Sequence, residues 1–207
     1  MSGFYSFGEW CDKVLHPQDT SPWDFRTLDF YNEYKTKYAI SKLVQPHTIL
    51  EIGVRFGYGA HSFLLSAPEA SYVGLDFDEP SWGPYKGIPR LWAEKNLHAH
   101  FPKASVVTFN CNTQKGDIPV DLPRDLVHID ADHSYNGALH DMVTFWPLTK
   151  RAMVVDDYTE IAEVQGAVQT FVAYTKGVLL LPVSSLRSSA ILVREGNYEV
   201  ASLDHFV

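Results

Sequence analysis

The spacing of apolar residues changes near residue 47. Beyond it, short apolar runs alternate with segments whose apolar residues recur at helical intervals, as in buried parallel strands joined by helices. The runs at 48–53, 72–77, 105–109, 126–130 and 152–156 predict strands, and 60–66, 84–100, 135–146 and 161–174 predict helices between most of them. Two more strands are expected at 178–183 and 189–193. The link between them, 184–188, is too short for a helical crossover, so this last pair should run antiparallel. The expected fold class is α/β, a mainly parallel sheet of seven strands ending in an antiparallel hairpin.

Residues 1–46 follow another pattern. They are dense in aromatics, among them Phe4, Tyr5, Phe7, Trp10, Trp23, Phe25, Phe30, Tyr31, Tyr34 and Tyr38. Tyr31, Tyr34 and Tyr38 share one face of a helix predicted over 28–44, with Pro17, Ser21 and Pro22 marking loop before it. The chain thus divides into an aromatic helical segment, 1–46, and a domain, 47–207. The first is expected to form a lid or an oligomer contact, such as a homodimer interface.

Bulk composition narrows the function classes. A chain of 207 residues with 45% apolar content supports one domain with a real core. A net charge of −8 and a pI near 5.5 argue against a nucleic-acid groove. No apolar run is long enough for a bilayer. The first ten residues lack a basic start and an apolar stretch, so no secretory signal is expected. Cys11 and Cys111 form neither a metal spacing nor a disulfide framework. A soluble, cytosolic protein is the expectation.

Open α/β sheets bind ligands at the carboxyl ends of their strands. Here the first strand runs into Glu51-Ile52-Gly53-Val54-Arg55-Phe56-Gly57-Tyr58-Gly59, a strand that ends in glycines and reopens as a helix. Glycine permits a tight turn and close approach to a nucleotide-like ligand. Glu51 disfavours a pyrophosphate and points to a ligand with hydroxyls or positive charge. Asp76, at the second strand end, is placed to accept both hydroxyls of a ribose; a turn or helix cap is the plainer alternative. Asn110, Cys111 and Asn112 end the third strand, where Cys111 and Asn112 are candidates to touch a base ring.

The fourth and fifth strands end in Asp130, Asp132 and His133, and in Asp156, Asp157 and Tyr158. Carboxylates crowded onto neighbouring strand ends raise each other's pKa unless a cation neutralises them. Asp130, Asp156 and Asp157 are therefore the expected ligands of an Mg²⁺-like ion. His133 lies beside them and is the candidate general base. Of the nine histidines, His128 alternates with buried strand positions and reads as structural, whereas His61, His98, His100, His140 and His205 read as ordinary surface or helix residues. Trp82, Tyr85 and Trp92 are candidate pocket walls.

These motifs resemble the class I S-adenosylmethionine-dependent methyltransferases over roughly 47–195. The resemblance implies a Rossmann-like sheet of order 3-2-1-4-5-7-6, with strand seven antiparallel and helices on both faces. The glycine spacing is similar to that of the metal-dependent O-methyltransferases of the catechol and caffeoyl-CoA type. The runs Ile129-Asp130-Ala131-Asp132-His133-Ser134-Tyr135 and Val154-Val155-Asp156-Asp157-Tyr158 look closer still to bacterial natural-product and sugar methyltransferases, a group that includes relatives of the cephalosporin hydroxylase component.

The resemblance implies S-adenosylmethionine and Mg²⁺ as cofactors, and methyl transfer to a hydroxyl of a natural product, sugar or catechol-like molecule. Glu51, Gly53, Arg55, Gly57, Gly59, Asp76, Asn112 and Asp130 would surround the cofactor, with amides near Gly53 and Arg55 on its carboxylate. Asp130, Asp156 and Asp157 would hold the metal. His133, at the position of the family's catalytic lysine, would take the proton beside Asp130. Thr149-Lys150-Arg151 replaces the usual Pro-Gly-Gly turn. Three rivals remain: a metal-independent methyltransferase using His133 or Asp132, a cofactor-binding partner protein without activity, and a nicotinamide-linked oxidoreductase.

Overall fold

A computed structural model describes residues 3–17, 19, 25–78, 88–116, 118–181 and 189–195. The seven strands are β1 (Thr48–Ile52), β2 (Ser71–Asp76), β3 (Ser105–Asn110), β4 (Arg124–Ile129), β5 (Thr149–Val155), β6 (Val178–Leu181) and β7 (Ala190–Arg194). They form one sheet of order β3-β2-β1-β4-β5-β7-β6. The first five pair in parallel, while β7 pairs antiparallel with both β5 and β6. This is the predicted topology. The chain reverses its direction of travel across the sheet between β1 and β4, which opens a crevice at their carboxyl ends.

Among the described residues six α-helices accompany the sheet: α1 (Phe7–Lys13), α2 (Leu28–Val44), α3 (Tyr58–Ser66), α4 (Pro89–His100), α5 (Tyr135–Phe145) and α6 (Ala162–Tyr174). Side chains alternate faces along a strand, and the core divides accordingly. Leu50, Ile52, Val127, Ile129, Met153 and Val155 face α5 and α6. Ile49, Leu126, Ala152 and Val154 face the other way, onto Ile40 and Val44 of α2, Phe63 and Leu64 of α3, and Leu97 of α4. No helix among the described residues is long and apolar enough to cross a membrane.

Local chemistry sets the helix ends. The hydroxyl of Ser134 accepts from the Gly137 amide to cap α5 at 3.1 Å. Pro89 occupies the first turn of α4, where its missing N–H costs nothing. α2 stops at Gln45, which is left-handed at φ 48°. The sequence reading missed α1 although it carries a recognisable capping box: Ser6 accepts from the Glu9 amide, and Glu9 accepts from the Ser6 amide. The predicted start of α4 at 84, the link 184–188, Trp23, Trp82, Tyr85 and His205 fall outside the described residues.

A third apolar cluster joins the amino-terminal segment to the glycine loop. Trp10, Val14, Leu15 and Tyr34 pack against Phe56 and Tyr58, with Phe4, Phe25, Tyr31 and Trp92 around them. Trp10 is fully buried and stacks on Tyr34 at 4.8 Å between ring centres. Trp92, expected to wall a pocket, belongs to this cluster and meets His16 edge-on at 4.6 Å.

Candidate active site

The glycine loop turns through two left-handed glycines, Gly53 at φ 87° and Gly57 at φ 72°. Each glycine makes room for a different neighbour. A Cβ on Gly53 would lie 1.8 Å from the Asp130 carbonyl oxygen, so Gly53 lets the ends of β1 and β4 close together. A Cβ on Gly59 would lie 2.3 Å from Glu51 Oε1. Gly59 therefore accommodates Glu51.

Glu51 itself is buried. Its carboxylate accepts a short hydrogen bond from the Tyr72 hydroxyl and lies 2.9 Å from His128 Nδ1. The two residues are register neighbours on β1 and β4, on the face covered by α2 and α3. Burial pushes the His128 imidazole down, but the hydrogen bond to Glu51 together with the charges of Glu51 and Asp156 holds the ring above its ordinary pKa. The Nε2 of His128 is buried with no hydrogen-bond partner.

Asp76 stands at the end of β2, where its Oδ2 accepts the Arg55 amide. Burial raises its pKa to about 6 against the pull of that amide. Two amides expected to meet a cofactor carboxylate are thus engaged inside the protein: Arg55 donates to Asp76, and Gly53 donates to the Leu75 carbonyl at 2.8 Å, extending the β1–β2 ladder. The Arg55 guanidinium pairs with Asp19 at 2.6 Å and lies over the Phe25 and Phe56 rings. Asn112 uses its carbonyl to cap a short 3₁₀ turn through the Gln114 amide. Cys111 packs into the core beneath.

His133 sits between two carboxylates. Its Nε2 is 3.2 Å from Asp130 Oδ1, and its Nδ1 is 3.3 Å from Asp157 Oδ2. Burial works against the charged imidazole, but Asp130 above all, then Asp157 and Asp156, raise it to about 9. Burial and the charges of Asp130 and Asp156 raise Asp157 to about 6. Asp132 accepts the Ser134 amide at 2.9 Å, in a turn that leads into α5.

The three carboxylates expected to share a metal are not gathered as one set. Asp130 belongs to two overlapping groups of closely spaced ligand atoms, one with His133 and Asp157, the other with His128 and Asp156. The reason is strand parity. Asp156 continues the face of Ala152 and Val154 and turns under the sheet toward α2, whereas Asp157 takes a left-handed turn at φ 56° and stays at the rim.

Asp156 meets a buried cation there. Lys37 Nζ lies 2.7 Å from Asp156 Oδ2 and 2.8 Å from Glu33 Oε1, and the Ser189 hydroxyl donates to Asp156 Oδ1 at 2.7 Å. The Lys37 side chain is 1% exposed. Burial disfavours its charge, but Asp156 and Glu33 overcome this and hold the ammonium well above its ordinary pKa. Burial likewise opposes ionisation of Asp156, and Lys37, with help from His128 and the Ser189 hydroxyl, reverses it and lowers that carboxyl. Removing one member of such a group strands a buried charge at a cost of about 3–5 kcal/mol. The sequence reading had no role for Lys37. His61, expected as an ordinary surface or helix residue, does lie on α3, but it is buried against Tyr5, His100 and Phe101, and burial drives its pKa down to about 3.

Comparison with known proteins identifies the fold. A family model described as a methyltransferase domain matches residues 50–158, from the core of β1 to just past β5. The chain belongs to this methyltransferase family. Solved structures share the fold at low identity. The SAH-bound methyltransferase PaMTH1 of Podospora anserina is 16% identical, with 91% of this chain and 86% of that chain covered at a TM-score of 0.59. An O-methyltransferase from Bacillus cereus in complex with SAH is 18% identical, covering 87% and 84% at 0.56. The O-methyltransferase TomG from Streptomyces achromogenes, involved in tomaymycin synthesis and in complex with SAM, is 17% identical, covering 93% and 100% at 0.55. No curated protein matches the chain.

Proposed function

We propose that this methyltransferase uses S-adenosylmethionine to methylate a hydroxyl of a small molecule, with His133 as the proton acceptor. The observation that carries the proposal is the placement of His133 between Asp130 and Asp157, at the rim beside the glycine loop. The SAM- and SAH-bound O-methyltransferases that share the fold support the choice of cofactor. Bound there, S-adenosylmethionine supplies an electrophilic methyl group on a sulfonium centre.

Asp76 is the residue that fits the ribose. One of its oxygens takes the Arg55 amide, and the carboxylate sits at the strand end beside the crevice. Asp130 orients the imidazole through Nε2 and stabilises its protonated form. His133 accepts the hydroxyl proton as the oxygen attacks, and a raised pKa makes it a strong base once neutral. Nδ1 is the nitrogen left to take the proton, so the acceptor hydroxyl displaces the 3.3 Å contact of Asp157 there.

A divalent ion held by Asp130, Asp156 and Asp157 fits this site poorly. Both Asp156 oxygens are engaged, one by an ammonium. An ion bound instead by Asp130, His133 and Asp157 would occupy the nitrogen that the base requires, and Mg²⁺ prefers an all-oxygen shell. His133→Ala tests the proposal. Turnover should fall by at least ~100-fold, the scale of general-base catalysis, with S-adenosylmethionine affinity nearly unchanged by calorimetry. Unchanged turnover would remove His133 from the chemistry.

A further inference from the structure

We infer that Lys37 is a built-in cation standing among the carboxylates that the family resemblance assigns to a divalent ion, so that this site needs no metal. The catalytic part of the inference rests on the methyltransferase reading; the electrostatic part does not. Four acids, Glu33, Asp130, Asp156 and Asp157, gather around the ends of β4 and β5. Carboxylates this close need a compensating charge.

The fold supplies that charge from α2. Lys37 is held from one side by Glu33, one helical turn earlier, and from the other by Asp156, 119 residues away in the chain. The Tyr34 ring lies 4.5 Å from Nζ and closes off solvent. Ser189, just before β7, takes the second oxygen of Asp156. The facing titratable groups complete the count: His128 lies beneath, and His133 bridges Asp130 and Asp157 at the rim.

A divalent ion on Asp156 would lie next to an ammonium fixed 2.7 Å from the same carboxylate. Two cations so placed repel strongly in a buried site. Lys37 thus takes the first of the two tasks a metal would perform, neutralising the carboxylates. The second, lowering the pKa of the acceptor hydroxyl, has no counterpart in Lys37, which is enclosed beneath the rim. Proton removal then falls entirely to His133. Lys37 is a positioning residue in this scheme.

The test is metal binding, read without turnover. Purified wild-type protein is titrated with Mn²⁺ alone and the free-ion resonance is followed by electron paramagnetic resonance. Metal content after purification without chelator is measured in parallel. Wild type should carry no stoichiometric divalent metal and bind Mn²⁺ no tighter than roughly 1 mM, the weak end of carboxylate sites. Lys37→Met, which leaves the acids uncompensated, should bind Mn²⁺ at least about tenfold more tightly, the equivalent of ~1.4 kcal/mol.

Stoichiometric metal or micromolar Mn²⁺ binding in wild type would overturn the inference. So would a folded Lys37→Met variant with unaltered Mn²⁺ affinity. If that variant does not fold, Glu33→Gln/Lys37→Gln removes one charge of each sign and is read in the same titration, and the wild-type result stands by itself. S-adenosylmethionine calorimetry on wild type in chelator separates the two proposals. Absence of cofactor binding both in chelator and with added Mg²⁺ defeats the functional reading alone. Binding that requires Mg²⁺ defeats the built-in cation.

Discussion

If His133 is the base, the charges around it dictate how activity depends on pH. Its pKa of about 9 makes the free enzyme's imidazole mostly protonated at neutrality. Only ~1% is neutral at pH 7, two units below that value, and the neutral fraction grows about tenfold per pH unit. The sign follows: kcat/KM should climb from pH 6 and level off only above about 9. Asp130 is the largest contributor to the upward shift.

Asp130→Asn keeps the shape of the side chain and removes its charge. A contacting opposite charge moves a pKa by ~1–3 units. Because both side chains are 30% exposed, solvent screening favours the lower end of that range. The midpoint should fall by roughly one unit, to about 8, raising the neutral fraction at pH 7 about tenfold. The readout is the midpoint of the kcat/KM profile, since the plateau height responds to any change in the site. Histidine-labelled NMR follows the ring directly, with His133→Gln assigning its resonance. A wild-type imidazole titrating below pH 7, or a midpoint unmoved by Asp130→Asn, would refute the reasoning.

Asp76→Ala should weaken S-adenosylmethionine binding by about 1.5–3 kcal/mol, the worth of hydrogen bonds to a charged group, as read by calorimetry. With Asp76 raised to about 6, affinity in wild type should also decline as pH falls through that value and the carboxylate is protonated. Gly53→Ala drives a Cβ into the Asp130 carbonyl at a positive φ and should cost about 2–4 kcal/mol in a denaturant melt. Trp10→Ala empties the centre of the aromatic cluster and should cost about 3–5 kcal/mol, measured the same way.

The sheet was legible because its strands are buried runs with little polar content, a pattern that survives without knowledge of what they pack against. The position of His133 beside carboxylates was legible too, because the polar ends of β4 and β5 mark the rim. What the residue order obscured was direction. Asp156 and Asp157 are neighbours in sequence, yet a strand sends adjacent side chains to opposite faces, and only Asp157 stays beside His133. Lys37 carried one local signal, a glutamate four residues earlier on a face that also bears Tyr34 and Tyr38. Its decisive partner lies far along the chain, and no local pattern announces such a pairing. The Arg55 amide shows the same non-local pairing. Its partner, Asp76, is supplied by the next strand.

Within the aromatic segment, expected as a lid or an oligomer contact, α2 packs into the domain's core. Ile40 and Val44 join the apolar layer beneath the sheet, Tyr34 joins the aromatic cluster around the glycine loop, and Lys37, between them, reaches Asp156. Three regions are thereby fixed by one rigid element, on which residues three and four apart share a face. A rotation of α2 large enough to release Tyr34 from Tyr58 would also draw Lys37 from Asp156 and leave two buried charges unpaired. The cost of that separation, about 3–5 kcal/mol, opposes any motion in which α2 swings as a lid.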